Sequence, residues 1–165
     1  MTQFLIDTNA LIDAYDRYYP QGVFDSVWKW MSENTNILIT SRVYKELMQA
    51  ENGLSDWVNN NLKVRKIDEE VAVLEYAEVQ EFLNTGNRWT GGGLAEWVET
   101  DAKADPWLVA YAKNVNATIV THEKLVGPDE GSNSTKEPKI PFVAKELGVS
   151  TISLWELFKL EAAHF

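Results

Sequence analysis

Four short apolar runs, "QFLID", "NILIT", "ATIVTHE" and "VSTIS", divide the chain, each bounded by polar or turn-forming residues as buried strands are. Between them the apolar positions recur at helical spacing. "TNALIDAYDRYY" keeps that spacing up to Pro20, with Thr8 or Asn9 as its cap, and "GVFDSVWKWMSE" puts Val23, Val27, Trp30 and Met31 on one face. After the second run, Ser41 caps "RVYKELMQA" and Gly53 breaks the chain before "LSDWVNNNL". "KVRKI" predicts a short edge strand. "DEEVAVLEYAEVQEFLNT" reads as one long amphipathic helix with acids in its first turn, where the helix dipole favours them. "GNRWTGGG" interrupts the pattern before "LAEWVETDAKADPWLVAYAKNVN", whose last helix carries Pro106 in its first turn and Ala104 or Asp105 at its cap. "GPDEGSNSTKEPK" is a loop, "IPFVAKELG" a helix closed by Gly148, and "LWELFKLEAAHF" a final helix. Strands alternating with helices predict an α/β fold. We expect a three-layer α/β/α sandwich with a central, mainly parallel sheet, forming a single domain over 1–165.

Composition changes this picture in three respects. The chain of 165 residues is 45% hydrophobic and 24% charged, with seven tryptophans, as a soluble globular protein rather than a disordered one would be. It has no cysteine, which excludes disulfides, thiolate metal sites and a cysteine nucleophile. Its formal net charge of -10 argues against simple electrostatic adhesion to nucleic acid. That charge fits acids on a solvated face, a basic protein partner, or acids gathered around a divalent metal, which reverses the local field. No basic stretch precedes an apolar core at the N-terminus, and no apolar run approaches the roughly 20 residues of a membrane span. A cytoplasmic protein with no membrane association is expected.

The acids that could carry chemistry stand where the strands end. Asp7 closes the first strand, Glu46 lies on the helix after the second, Asp105 opens the helix leading to the third, and Glu123 follows that third strand. A parallel α/β sheet gathers such positions along one edge. Four carboxylates in one small volume repel one another, and each disfavours ionisation of the next. A hard divalent cation reverses that cost, since Mg2+ prefers oxygen ligands and keeps several waters, one of which it activates toward phosphorus. Taken one at a time, the same residues are ordinary caps, loop acids or solvated helix residues. Their joint placement raises the functional reading.

"FLIDTNALID", "SRVYKEL", "ADPWLVAYAK" and "TIVTHEK", in that order, resemble the PIN domains, a family of small metal-dependent ribonucleases. "KIPFVAKELGVSTISLWELF" resembles the closing segment of a PIN-like subgroup that carries "DPW" and "KIP". The resemblance implies a PIN-like fold and an endoribonuclease that hydrolyses single-stranded or structured RNA with Mg2+ or Mn2+, leaving 5′-phosphate and 3′-hydroxyl ends. It also implies the toxin of a bacterial toxin-antitoxin pair, with a protein antitoxin as partner and a homodimer as a further possibility. Carried over by motif, the catalytic and metal-binding acids are Asp7, Glu46, Asp105 and Glu123. The family pattern has an aspartate where this chain has Glu123, one methylene longer, with His122 beside it.

On that reading Asp7 anchors the metal, Asp105 completes its shell, Glu46 acts directly or through water, and Glu123 orients the nucleophilic water. Thr8, Asn9 and Thr121 would fix carboxylate rotamers or hold a phosphate oxygen, while Arg42 and Lys139 would contact substrate. Lys45, Lys103, Lys124 and Lys136 are further basic neighbours, and Asp101 is an auxiliary acid four residues before Asp105. Trp89 in "GNRWTGGG" either stacks on a base or pins the loop to the core, and the three glycines lack the lysine and hydroxyl of a phosphate loop. A haloacid-dehalogenase phosphatase would need an aspartate at the position of Asn9. The serious rival is a PIN-like scaffold that binds protein or RNA without cutting it.

Overall fold

In the computed structural model of the chain, residues 2–100, 102–128 and 137–165 are described. The strands are β1 (Phe4–Ile6), β2 (Ile37–Thr40), β3 (Lys66–Ile67), β4 (Thr118–Val120) and β5 (Thr151–Ile152). They form one sheet in the order β3-β2-β1-β4-β5, and every neighbouring pair is parallel. The strands alternate across it as their period of two requires. Phe4, Ile6, Ile37, Ile39 and Val120 enter one core, while Leu5 and Ile119 enter the other.

The first core is covered by α1 (Thr8–Asp13), α2 (Asp25–Glu33), α3 (Ser41–Met48), α4 (Gly53–Asn61) and, late in the chain, α9 (Leu154–Leu160). The second is covered by α5 (Val73–Asn84), α6 (Gly91–Val98), α7 (Ala104–Val115) and α8 (Ile140–Glu146). This is the expected three-layer sandwich. The connection from β1 leads to β2 on one side, whereas β4 pairs with β1 on the other. The chain therefore changes winding direction at β1, the place where open α/β sheets form a crevice.

Several local expectations give way to tertiary contacts. Asp7, not Thr8 or Asn9, occupies the cap position of α1, and its side chain makes no capping bond. Thr40, not Ser41, caps α3 by accepting from the Val43 backbone N–H at 3.2 Å. Lys103 holds the cap position of α7 in place of Ala104 or Asp105. Val23 lies outside α2 and is 74% exposed, so Val27, Trp28 and Met31 form the inward face. The glycine triplet is the first turn of α6, and Trp89 is buried edge-on against Phe82 and Phe142, which fixes its loop to the core. Gly148 closes α8 with φ +75, a backbone conformation that glycine adopts at little cost.

The predicted long helix is interrupted. Glu69–Ala72 form a 3-10 turn before α5, and that turn carries Glu69 into the interior at 0% exposure. There its carboxylate accepts from the backbone N–H groups of Ser41 (2.8 Å) and Arg42 (3.0 Å) at the start of α3, and from Arg42 Nη1 (2.8 Å). Arg42 also pairs with Glu70 at 3.1 Å and lies 4.5 Å over the Trp107 ring, which stacks on Tyr76 at 3.9 Å. Arg42 thus ties α3 to α7. It is committed to this network and stands outside the acidic cleft, contrary to its expected role in holding substrate.

Removing one member of a buried ion pair leaves the other charge uncompensated, at a cost of about 3–5 kcal/mol. Glu69→Ala is therefore expected to lose that much unfolding free energy in urea melts, with Arg42→Ala close behind. A loss below about 1 kcal/mol would show that the pair does not brace α3.

Candidate active site

The site is built at the carboxyl edge of β1, β2 and β4. Asp7 is the residue after β1, and its backbone N–H is tied to the Val120 carbonyl at 2.9 Å, so the side chain starts from a rigid point. The residue is 1% exposed. Its Oδ2 accepts from the Thr121 hydroxyl at 2.9 Å, and that same hydroxyl oxygen accepts from the Glu123 backbone N–H at 3.1 Å. Thr121 is thus the joint between the two strand ends.

Glu46 arrives from α3. Its Oε2 accepts from the Thr8 hydroxyl at 2.5 Å and its Oε1 from the Ala104 backbone N–H, the first of α7, at 3.2 Å. One glutamate therefore joins α1, α3 and α7, and it sets Asp105, the next residue, at the mouth of the cleft. Glu123 Oε2 accepts from the Ile140 backbone N–H at 2.8 Å, at the first turn of α8. Two ammonium groups complete the ring: Lys103 Nζ lies 3.3 Å from Asp105 Oδ2, and Lys139 Nζ lies 3.7 Å from Glu123 Oε1 and 2.5 Å from Glu137 Oε1.

Asp7, Glu46, Asp105 and Glu123 line one cavity of about 270 Å³, with Thr8, Asn9, Lys103 and Lys139 in its wall. The structure brings together four acids from four distant stretches of chain. Asn9 is exposed at the rim. Lys45 and Lys124 are exposed and do not line the cavity. Asp101 and Lys136 lie outside the described residues. His122 belongs to a neighbouring cavity instead. Glu137 and Trp97 also line the cleft and were not singled out by the sequence pattern. Trp97 reads as an ordinary inward helix position, and Glu137 as a loop charge until the chain folds back over the site.

The electrostatics follow from crowding. Burial, then the Asp105 charge, push the Asp7 carboxyl well above its ordinary range, with Glu123 and Glu46 adding to the effect and the Thr121 hydrogen bond opposing it. Burial likewise raises Asp105 to about 6; Lys103 opposes that shift, and Glu123 and Glu46 add to it. Burial alone would lower Lys103, but Asp105 and Glu96 outweigh it and hold the ammonium above its usual value.

The donors facing the cleft are carboxylate oxygens, the hard ligands that Mg2+ and Mn2+ prefer. Asp7 Oδ1 and Asp105 Oδ1 accept no hydrogen bond among the described residues. Among those residues, no three His, Cys, Asp or Glu side chains stand close enough to enclose an ion by themselves.

A family described as "Domain of unknown function (DUF4411)" matches residues 4–165. No curated protein matches the chain in sequence. A chain in the crystal structure of VapBC2 from Rickettsia felis, bound to a DNA fragment from their promoter, is similar at 16% identity and TM-score 0.54, over 92% of this chain and 98% of that one. A chain in the crystal structure of FitAcB from Neisseria gonorrhoeae is similar at 17% identity and TM-score 0.48, over 93% and 99%. At such identities the likeness to VapBC2 is one of fold. Among the described residues, no helix is long and apolar enough to cross a membrane.

The raised carboxyls set a pH dependence. From the ordinary value of 3.8 up to about 6 the folded protein holds the Asp105 proton that the unfolded chain has released, so this stabilising contribution is complete below that window and is lost as pH rises through it. Asp7 acts in the same sense. In EDTA, Asp105→Asn should gain on the wild type by about 2 kcal/mol in urea melts between pH 4 and pH 7. A difference that stays flat with pH would show that the carboxyl is unperturbed.

Proposed function

The chain belongs to the DUF4411 family, and we propose that it is a divalent-metal-dependent endoribonuclease, the toxin of a bacterial toxin-antitoxin pair. The observation that carries this reading is the meeting of Asp7, Glu46, Asp105 and Glu123 in one cavity at the winding switch of a parallel sheet. Two comparisons support it. The four sequence motifs resemble PIN ribonucleases, which include toxins of bacterial toxin-antitoxin pairs, and the fold is shared with a chain in the VapBC2 structure from Rickettsia felis.

Asp7 and Asp105, each with a carboxylate oxygen to spare, are the residues that hold Mg2+ or Mn2+; Glu46 and Glu123 act on them through water and backbone. When bound, the cation supplies charge to the scissile phosphate and lowers the pKa of water. The protein does the rest. Lys103 and Lys139 draw a phosphodiester into a cleft that would otherwise repel it, and Asn9 offers an amide at the rim. Glu123 Oε1 orients the attacking water, and the bond to the 3′ oxygen breaks to leave a 5′-phosphate and a 3′-hydroxyl. Unpaired RNA suits such an open edge better than a duplex. The partner is a protein antitoxin, and the net charge of -10 favours a basic segment in it.

The test is cleavage of single-stranded RNA with Mn2+ and with EDTA, alongside thermal melts. We expect cleavage only with metal, at least a roughly 100-fold loss in Asp7→Asn, and a melting gain of several degrees at about 100 times the Kd of the ion. A protein that neither cuts RNA nor responds to Mn2+ is a binding scaffold whose acids are already neutralised by Lys103 and Lys139.

A further inference from the structure

A second cavity, of about 440 Å³, shares Glu123 with the acidic cleft and lies between the turn after α1 and the start of α9. Its chemistry is different. Tyr18 and Trp155 stand at its edge, 54% and 57% exposed, and Tyr18 meets the His122 ring edge-on at 5.4 Å. Leu125, Pro141 and Ile152 add apolar surface. The polar wall carries the carboxylates of Asp13, Glu123 and Glu156, with His122 and the hydroxyls of Thr121, Thr151 and Ser153, which can donate as well as accept. Among the described residues no lysine or arginine lines it, so a phosphate has no counter-charge there.

Each of these acids already has a partner. Asp13 faces Arg17 and His122, both at 3.6 Å; Glu123 caps α8; Glu156 accepts from the Ser153 backbone and hydroxyl. The wall therefore offers spare acceptor oxygens rather than an uncompensated charge, which favours a neutral ligand rich in N–H groups over a cation. His122 Nδ1 is buried and makes no hydrogen bond among the described residues, a group that a ligand or a water would satisfy. Exposed aromatic rings beside a phosphodiester site are where unpaired bases stack.

We infer that this cavity is a nucleobase subsite that selects guanine next to the scissile phosphate. Guanine presents an imino N–H and an amino group side by side, a pair that one carboxylate can accept together. Adenine and cytosine offer an amino group beside an acceptor nitrogen, and uracil an imino group between two carbonyls. Facing the Asp13 carboxylate, whose oxygens have only the 3.6 Å contacts to Arg17 and His122, guanine alone of the four presents two adjacent donors and no acceptor. The inference rests on reading the adjoining cleft as the phosphodiester site, since that places a base within reach.

Calorimetric titration in EDTA with guanosine, adenosine, cytidine and uridine tests the pocket without calling on cleavage. Guanosine should saturate, the other three should bind at least about tenfold more weakly, and Trp155→Ala and Tyr18→Ala should each weaken guanosine about tenfold. Both side chains are more than half exposed, so neither variant should disturb folding. Equal affinities for all four nucleosides, absence of saturation, or insensitivity to both variants overturns the inference. So does saturation by Nα-acetylarginine amide with guanosine silent, which would assign the pocket to a basic peptide. Guanosine binding by a protein that cuts no RNA would leave the subsite standing and remove the nuclease reading alone.

Discussion

A carboxylate buried at the end of the central strand is costly, and three more carboxylates facing the same cavity raise the cost. Asp7 stays there because the strand end around it is rigid: its backbone is laddered to β4, and Thr121 holds one of its oxygens. The rest of the cleft is arranged around that repulsion. Protonation of Asp105 up to about 6 relieves part of it. Lys103 and Lys139 relieve more, and a hard cation would relieve it most effectively. The repulsion that penalises the cleft would favour any positive charge that entered it.

Such a cluster can persist only if the elements carrying it cannot drift apart, and the ties that prevent drift are themselves polar and buried. Glu46 bonds to both Thr8 and the start of α7, so three helices share one side chain. Behind it, Glu69 holds the first N–H groups of α3 and the Arg42 guanidinium, which rests on Trp107 of α7. Asp105 and Trp107 are two residues apart on the same helix. A contact on the far side of α7 from the cleft thus fixes the placement of a carboxylate inside it.

The pattern along the chain made the layers and a mainly parallel sheet plausible, because apolar period and strand-helix alternation are properties of local sequence. It also brought Asp7, Glu46, Asp105 and Glu123 to one edge, since positions just beyond parallel strands converge there whatever the side chains between them. What it could not show were the choices settled by distant partners. Ser41 is a good cap by type, yet Thr40 caps because the Ser41 N–H is claimed by Glu69, 28 residues on. Arg42 beside Glu46 looks like a substrate contact until Glu69 turns inward, and nothing local marks Glu69 apart from the other acids of "DEE". Thr121 was legible in position, while its link between Asp7 and Glu123 required both strand ends in place.

The net charge of -10 poses a difficulty for a nuclease only if charge is averaged over the surface. The cleft carries its own cations where a phosphate would lie, in Lys103 and Lys139. Among the described residues the adjoining cavity has none, and its acids are partnered by Arg17, His122, the N-terminus of α8 and the cap of α9. On the proposed reading, splitting the two sites by charge in this way would let a strand enter in one orientation, phosphate toward the lysines and base toward the second cavity. The acidic remainder of the surface would then repel nucleic acid elsewhere and confine contact to the one edge of the sheet where the four acids meet.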